Sequence, residues 1–275
     1  GIACYTAYTT ITNNHVHHID NSESPYGVNS HNGISFEVSS DGTNIAKYST
    51  ASENIVHDCP GVGISTGSGS ATRGNNINIE NNIIFNVGKG VFVSKSDYAN
   101  ILNNQVRTTT GPGIQVWTDA LNPIVEGNRL YNIGDSGNDF TIDVETNGAV
   151  VANNHLITNY DNAINIVADN CVISGNYIED VNNGKHGIML TAGSDNNVVV
   201  SNRVHDCEGS GIILSSSGSS GNVIDGNRIT VSGTGINVTN ASDKQNIVTN
   251  NQLLDNTTPM ADNGTGTVKA NNVTA

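Results

Sequence analysis

Ile101-Leu102-Asn103-Asn104-Gln105-Val106 is one copy of a pattern that recurs along the whole chain: an apolar residue, two variable residues, Asn, any residue, and then Val, Ile or Leu. Further copies run from Val125 to Leu130 and from Val151 to Leu156. The Asn that marks each copy lies at positions 14, 54, 82, 104, 128, 154, 176, 202, 227, 251 and 271. Because one such unit cannot bury its apolar side alone, the repeat predicts a solenoid of stacked coils.

A second signal follows most of these Asn residues after eight to eleven positions: a small residue, then apolar, variable and apolar residues, as in Gly113-Ile114-Gln115-Val116. Alternation with period two indicates strands, and the Gly, Asn and Ser between them suit tight turns. Coils stacked about 4.8 Å apart would let the repeated Asn form a hydrogen-bonded ladder. We therefore predict an all-β fold, a single-stranded right-handed parallel β-helix of about 11 coils with an Asn ladder.

Composition excludes several classes of protein. The chain has 275 residues and a formal net charge of −14, with 11 Lys and Arg against 25 Asp and Glu. So few basic residues argue against nucleic-acid binding, which depends on neutralising phosphates. No apolar run reaches the roughly 18 residues that a membrane-spanning helix needs. Five Asn-x-Ser/Thr sequons, from Asn237 to Asn272, suit an extracellular or cell-surface location.

The whole chain, residues 1–275, is expected to be one β-helix domain and a fragment of a larger protein. It opens on Gly1 with no visible signal peptide, and open β-helix ends invite edge pairing, so further domains are expected at one or both ends. Oligomerisation is left open. Longer repeats place insertions at about 20–32, 38–50 and 66–76. Surface insertions cost little stability and often carry function.

The repeat resembles that of the pectin-lyase-like β-helix superfamily over nearly all of the chain. This resemblance implies the fold, but the superfamily includes polysaccharide lyases, glycosidases, epimerases, phage tailspikes and adhesins, so it leaves the activity open. In repeat style alone the chain is also similar to the β-helix domains of archaeal disaggregatases, which act on a uronate-containing cell-wall polymer.

Strand alternation directs outwards the residues one and three positions after each key Asn. Four of the five Arg and five of the eight His occupy these two columns. Because Arg pairs with carboxylates and aromatic rings pack against sugars, the stripe predicts a surface for an extended acidic polysaccharide. The alternative interpretation of the stripe is that these are solvated side chains on an exposed sheet. The predicted substrate-binding residues are Arg107, Arg129, Tyr131, His155, Tyr177 and Arg203, together with Trp117 on a strand after the Gly signal.

Three His residues lie beside the first insertion: His15 and His17 precede it, and His57 is outward on the next coil. The insertion contains Tyr26-Gly27-Val28-Asn29-Ser30-His31, which resembles the Tyr-Gly-x-Asp-Pro-His motif of mannuronan epimerases. The resemblance implies proton transfer at a uronate ring by Tyr26 and His31, whereas Asn29 replaces the Asp and cannot ionise. The alternative interpretation is that this insertion only packs against the β-helix and has no catalytic role. The predicted catalytic residues are Tyr26, His31, His15, His17 and His57.

Acidic residues between positions 135 and 145 offer oxygen ligands for calcium. The expected metal ligands are Asp139, Asp143 and Glu145, with solvated carboxylates as the alternative, and no cofactor is required. Cys59 and Cys207 alternate with inward residues, so they are expected to be buried core residues. They are too many coils apart to pair, and no Cys spacing fits a zinc site.

These features favour an extracellular carbohydrate-active β-helix that cleaves or modifies an acidic, uronate-containing polysaccharide. The favoured reaction is β-elimination, which needs a base at the ring carbon and a group that neutralises the carboxylate. The alternatives are a polysaccharide epimerase or hydrolase, a non-catalytic glycan-binding or adhesin domain, and a structural rod of a tailspike-like assembly.

Overall fold

The structure, a computed structural model, describes residues 1–19, 31–37, 46–67, 74–134, 140–191, 193–215 and 218–275. The regular elements in these ranges are all β-strands, and they pair in parallel in sheets of 18 and 12 strands. The predicted all-β fold and parallel β-helix are therefore confirmed. Within the same ranges, no helix is long and apolar enough to cross a membrane.

Each coil contributes strands to three faces. Face 1 contains the strands that precede the key Asn, face 2 those that follow it, and face 3 those after the Gly signal. Face 1 consists of Thr10–Thr12, Lys47–Ser52, Gly74–Glu80, Asn100–Leu102, Ile124–Glu126, Val150–Ala152, Val172–Ser174, Val198–Val200, Val223–Asp225, Ile247–Thr249 and Val268–Ala270, with Ser96–Asp97 paired to Gly74–Glu80.

Faces 2 and 3 belong to the same sheet, because four long strands bend from one face into the other. These long strands are Ile55–Thr66, Ile83–Val93, Arg203–Leu214 and Arg228–Val238. The other strands of face 2 are His15–His17, Gln105–Thr109, Arg129–Ile133, His155–Asn159, Tyr177–Val181, Gln252–Leu254 and Val273–Thr274. The other strands of face 3 are Ile2–Cys4, Ile34–Phe36, Ile114–Val116, Ile142–Val144, Ile164–Ile166, Ile188–Leu190 and Thr258–Asp262.

The core consists of inward side chains stacked in register. On face 1, Ile101 pairs with Ile79 on one side and with Val125 on the other, and all three are fully buried. On face 2, Val106 and Leu130 are paired and buried in the same way. Burial of one apolar residue per strand in every coil removes a continuous apolar surface from water, which is the main stabilising term of the fold.

The Asn ladder is present and lies at the turn between faces 1 and 2. The Asn104 backbone N–H and side-chain amide both donate to Asn128 Oδ1, and the Asn104 amide also donates to the Ile79 carbonyl. The same geometry recurs through the stack, so each buried Asn satisfies backbone groups that the turn would otherwise leave unpaired. The last member is Asn272, which accepts from Asn251, and the expectation of Asn271 was wrong. Asn271 instead takes the left-handed turn position, with φ of 56°.

A second, shorter ladder was missed. The Cys171 N–H donates to Asn197 Oδ1, Asn197 donates to Asn222, and Asn222 donates to Asn246. Each of the three Asn residues lies five positions before a member of the first ladder, which is a signal in the sequence. This second ladder satisfies backbone hydrogen-bonding groups where the chain enters face 1.

The helix makes about nine turns, slightly fewer than the 11 expected. The end repeats, which contain Asn14 and Asn272, have a stacked neighbour on one side only within the described chain, so they are not enclosed turns. The predicted insertion bounds also shift, because Lys47–Ser52 and Gly74–Glu80 are strands. Residues 20–30, 38–45 and 68–73 of those insertions lie outside the described residues.

The four cysteines are free and buried, as expected for Cys59 and Cys207. Burial raises the pKa of the Cys207 thiol to about 12 and that of Cys171 to about 11. Because the thiolate is the reactive form, these residues act as core side chains.

Candidate functional site

An acidic pair lies on the outer side of face 3, where register places Gln115, Asp143 and Asn165 side by side on three successive strands. Although its strand position points outwards, Asp143 is only 4% exposed. Asp143 Oδ2 accepts a hydrogen bond from Gln115 Nε2 at 3.1 Å, and Asp143 Oδ1 accepts one from Asn165 Nδ2 at 2.8 Å. The carboxylate is therefore fixed from both sides by side-chain amides.

Glu145 follows two residues later on the same side of the strand and is hydrogen-bonded to Asp143. Burial raises the pKa of the Asp143 carboxyl, which its hydrogen bonds partly offset. The pKa of Glu145 is raised by burial, by the charge of Asp143 and by the hydrogen bond between them. Since two carboxylates in contact cannot both ionise easily, the pair holds one proton to a higher pH than separate carboxyls would, with Glu145 as its donor.

A cation and two aromatic rings border this acidic pair. Lys89 Nζ donates to Gln115 Oε1 at 2.7 Å and lies 5.0 Å from the centre of the Phe92 ring. Trp117, 42% exposed, meets Phe92 edge to face at 4.9 Å. We call Lys89, Gln115, Asp143, Glu145 and Asn165, with Phe92 and Trp117, the carboxyl site. It combines a proton donor, a carboxylate, an ammonium group and an aromatic platform.

One atom of the carboxyl site has no partner. Asn165 is 2% exposed, and its Oδ1 makes no hydrogen bond to the described residues. A buried acceptor without a donor costs free energy, of the order of 1–3 kcal/mol. Because Asn165 Oδ1 has almost no accessible surface, this cost belongs to the packing between the strands of face 3.

Face 2 carries the predicted His residues, and the structure brings three of them together. His57 lies between His17 and Phe85, with ring centres 5.2 and 4.5 Å away and rings nearly parallel. His15 Nε2 lies 2.7 Å from His57 Nε2. We call His15, His17, His18 and His57, with Phe85, the imidazole stack. Register explains it, since His17, His57 and Phe85 are paired neighbours on three strands.

Two members of this region were missed because the chain bends into face 3 through residues with left-handed backbone. His18 and Asp58 have φ of 52°, and Asn86 occupies the same place in the next coil. A residue with left-handed backbone interrupts the strand alternation, so its side chain lies on the same side as that of the preceding residue. His18 Nδ1 therefore lies 2.5 Å from His17 Nδ1, and Asp58 Oδ2 accepts from His57 Nδ1 at 2.8 Å. Asp and Asn at this bend are the available sequence signal.

The predicted substrate-binding residues continue along face 2 from the imidazole stack. The Arg107 guanidinium lies 4.4 Å from the centre of the Phe85 ring, and Arg203 lies 5.0 Å from that of Tyr177. Arg129 and Tyr131 are neighbours on the same strand, with the guanidinium 5.8 Å from the ring centre. His155 lies 4.8 Å from Tyr177, ring centre to ring centre. The stripe is thus a row of paired cations and rings, and its ligand stays a prediction.

The other predicted residues fall elsewhere. Trp117 lies on face 3 in the carboxyl site. The backbone carbonyl of His31 lies next to Gly61 at the bend, four residues beyond His57 along the coil. Tyr26 and Asp139 lie outside the described residues. Among those that are described, no group of three or more His, Cys, Asp or Glu is arranged to hold a metal ion.

A groove of about 820 Å³ runs along the bend between faces 2 and 3, lined by residues that include Pro60, Thr109 and Tyr160. It contains no residue of the carboxyl site or of the imidazole stack. Among the described residues that line the groove, Cys59 and Tyr160 are the ionisable ones, and we place the candidate chemistry at the two clusters instead.

A family model described as "right handed beta helix region" matches residues 1–178. The chain belongs to this right-handed beta helix family. The resemblance to the pectin-lyase-like superfamily and the right-handed winding are thereby confirmed. A second model, described as a periplasmic copper-binding protein (NosD), matches residues 138–274. A comparison with curated protein sequences found no match.

Solved structures similar to this beta helix include the A-module of the mannuronan C-5 epimerase AlgE6 from Azotobacter vinelandii, with a TM-score of 0.69 and 14% identity over 89% of this chain and 68% of that one. The periplasmic alginate epimerase AlgG gives a TM-score of 0.71 and 14% identity, covering 88% of this chain and 67% of that one. For DFA-IIIase from Arthrobacter chlorophenolicus A6, the TM-score is 0.63 and the identity 14%, covering 88% and 63%. At these identities the likeness shows the fold alone.

Proposed function

We propose that this protein is a carbohydrate-active β-helix that removes the proton next to the carboxylate of a uronate in an acidic polysaccharide. The observation that carries the proposal is the hydrogen-bonded Asp143–Glu145 pair on the outer side of face 3. A pair that shares one proton contains an acid and a base at the same pH, and pKa values raised towards neutrality suit both roles.

Each group of the carboxyl site has a role in this reaction. The carboxylate of the pair accepts the C5 proton, and the Lys89 ammonium, with the Gln115 amide, stabilises the charge that develops on the uronate carboxylate. In β-elimination the electrons of the broken C–H bond form the C4–C5 double bond as the C4–O4 bond breaks. The carboxyl proton then passes to O4. The pair gains one proton and loses one, so it is restored after each turnover.

β-Elimination and epimerisation both begin with removal of the same proton, so one acid and base pair serves either reaction.

The comparisons support the substrate class. Two similar structures are named as epimerases of mannuronan and alginate, whose sugars are uronates, and a third is named DFA-IIIase. The word "periplasmic" in two of the matched names supports a location outside the cytoplasm, and an extracellular or cell-surface site is the finer proposal. The catalytic roles of Tyr26, His31, His15, His17 and His57 stay predictions, as does a calcium requirement.

The test is incubation in D₂O with alginate, pectate, chondroitin and heparan-type chains, with and without calcium. Deuterium at C5 of the polymer, seen by NMR, reports epimerisation, because C5 regains a hydrogen from the solvent. Ultraviolet absorbance of an unsaturated uronate reports elimination, whose product has no C5 hydrogen. We expect one of these two signals on at least one polymer. If none exchanges, and no unsaturated product forms, the enzymatic proposal fails and a glycan-binding domain or a structural rod replaces it.

Trp117 should contribute to sugar binding. Trp117→Ala removes an exposed ring next to the reacting pair, and such a contact contributes about 1 kcal/mol beyond its buried area. We expect KM to rise between about fivefold and tenfold, with kcat within about twofold of the parent. Leu121→Ala, which removes an exposed apolar side chain from the following turn, is the control. An unchanged KM would show that the sugar does not pack on Trp117.

A further inference from the structure

The imidazole stack contains two contacts between ring nitrogens, and each constrains the protons of the pair. His15 Nε2 and His57 Nε2 are 2.7 Å apart, and His17 Nδ1 and His18 Nδ1 are 2.5 Å apart. At such distances one nitrogen must donate and the other must accept, because two N–H groups would repel. Each contact therefore holds one proton.

The neighbouring carboxylate decides which ring donates in the first pair. Asp58 Oδ2 accepts from His57 Nδ1, so in neutral His57 the Nε2 atom carries the lone pair and His15 Nε2–H donates to it. Asn86 Nδ2 donates to the other oxygen of Asp58 at 3.2 Å. Hydrogen bonds from His57 and Asn86 lower the pKa of Asp58, so this carboxylate stays ionised in mildly acidic solution.

Protonation would open both contacts. A further proton on either pair makes both facing nitrogens donors, so the rings separate and present two convergent N–H groups that carry positive charge. Burial and the neighbouring His15, His18 and His57 lower the pKa of His17, which keeps it neutral until the pH falls below the usual range for His. The neutral form of His17 is therefore favoured, which allows the His17–His18 contact to hold a single proton.

The groups around the stack fit an anion. Phe85 covers one face of His57, and the Arg107 guanidinium lies on the far side of the Phe85 ring. In the described residues the charged groups at the stack are Asp58 and, beyond Phe85, Arg107. Asp58 is hydrogen-bonded to His57 and Asn86, and its Oδ2 lies 3.9 Å from His18 Nε2. Two convergent N–H donors match the two oxygens of a carboxylate, and the stripe of Arg residues continues from this point along face 2.

We propose that the imidazole stack is a protonation-gated subsite that binds the carboxylates of an acidic glycan, closed near neutral pH and open in mildly acidic solution. The proposal takes its ligand class from the proposed function, but it concerns binding on face 2 and not the reaction on face 3. Uronate carboxylates have pKa values near those of ordinary α-carboxyls, so they stay ionised over the pH range in which an imidazole ordinarily gains a proton. Affinity is thus set by the protein's protons and not by the ligand's.

The experiment measures binding of oligogalacturonate and of an uncharged oligosaccharide at about pH 5.5 and about pH 7.5, on either side of the usual His pKa, at constant ionic strength. We expect oligogalacturonate to bind at least tenfold more tightly at the lower pH and the uncharged sugar to show no such change. In His15→Gln/His18→Gln the gain should fall below about twofold, because each pair then lacks one titrating ring. His205→Gln, which lies on the same stripe and contacts Thr230, should keep the gain.

Equal affinity at the two pH values, or the full gain in His15→Gln/His18→Gln, would overturn the proposal. The second result would assign the gain to the general rise in charge of an acidic protein. Binding is read without turnover, so the outcome is separate from that of the reaction. A protein that shows the expected gain but gives neither C5 exchange nor an unsaturated product contradicts only the proposed function. One that gives either signal and binds independently of pH contradicts only the gated subsite.

Discussion

Asp143→Asn is expected to reduce the rate of C5 proton removal by about a thousandfold, within the 10²–10⁴ range typical of a general acid or base. The amide cannot accept the proton, and it removes the charge that helps to keep Glu145 protonated. It also places an N–H₂ group against one of the two amide donors, Gln115 and Asn165, that now hold the carboxylate. The measurement is the initial rate at saturating polymer, read from deuterium at C5 for epimerisation and from ultraviolet absorbance of the unsaturated uronate for elimination.

The pKa of Glu145 distinguishes a catalytic cause of the rate loss in Asp143→Asn from a structural one. The charge of Asp143 raises this pKa, so Asp143→Asn should lower it. In the parent, the rate should fall as the pH rises and the shared proton is lost; in the variant, carboxyl ¹³C NMR should show Glu145 losing its proton at a lower pH. Asp225→Asn makes the same change on face 1, where Thr249 and Asn250 donate to the carboxylate, and should leave the rate unchanged. A rate within tenfold of the parent for Asp143→Asn would rule out this pair as the acid and base.

Asn154→Ala is expected to lower the free energy of unfolding by about 3 kcal/mol or more, since each buried polar group left unpaired costs about 1–3 kcal/mol. Asn154 is 1% exposed. Its Oδ1 accepts from the Asn128 backbone N–H and from the Asn128 amide, and its own amide donates to the Val125 carbonyl and to Asn176 Oδ1. The variant removes all four hydrogen bonds, and a methyl group cannot replace any of them.

Urea unfolding measures this loss as a lower midpoint at an unchanged slope. Asn263→Ala is the matched control, because Asn263 is exposed and makes one long side-chain hydrogen bond of 3.4 Å to the Thr239 carbonyl. It should change the free energy of unfolding by less than about 0.5 kcal/mol. A loss below about 1 kcal/mol for Asn154→Ala would mean that water or a relaxed turn satisfies the freed groups.

The sequence was a good guide wherever the repeat itself determines the geometry. The alternation around Asn104 and Asn128 predicted the inward columns, the ladder and the burial of Cys59 and Cys207. It also predicted that His15, His17 and His57 are neighbours, because equal offsets from successive key Asn residues become paired positions in a parallel sheet. The same reasoning placed the last ladder member at Asn271 when it is Asn272. Two adjacent Asn residues stand there, and only the left-handed backbone of Asn271 distinguishes them.

The sequence was a poor guide to contacts between coils that do not follow from equal offsets from the key Asn residues. A calcium site at Asp143 and Glu145 stays a prediction, whereas their partners Gln115, Asn165 and Lys89 were not foreseen. These partners come from other coils, 22 to 56 residues away in sequence. His18 and Asp58 were missed as members of the imidazole stack, since strict alternation would turn their side chains away from their neighbours. Their left-handed backbone reverses that direction.

The sequence by itself determined that this chain is a parallel β-helix, which side chains point inwards, and that cations and rings line face 2. Periodicity suffices for these properties because they repeat identically in each coil and depend only on strand alternation. The tertiary structure alone decided that the Asp143 carboxylate lies between amides from neighbouring strands, and that four imidazoles meet in nitrogen-to-nitrogen contacts. Those arrangements depend on the stacking of coils of unequal length and on single left-handed residues, and neither leaves a period in the sequence.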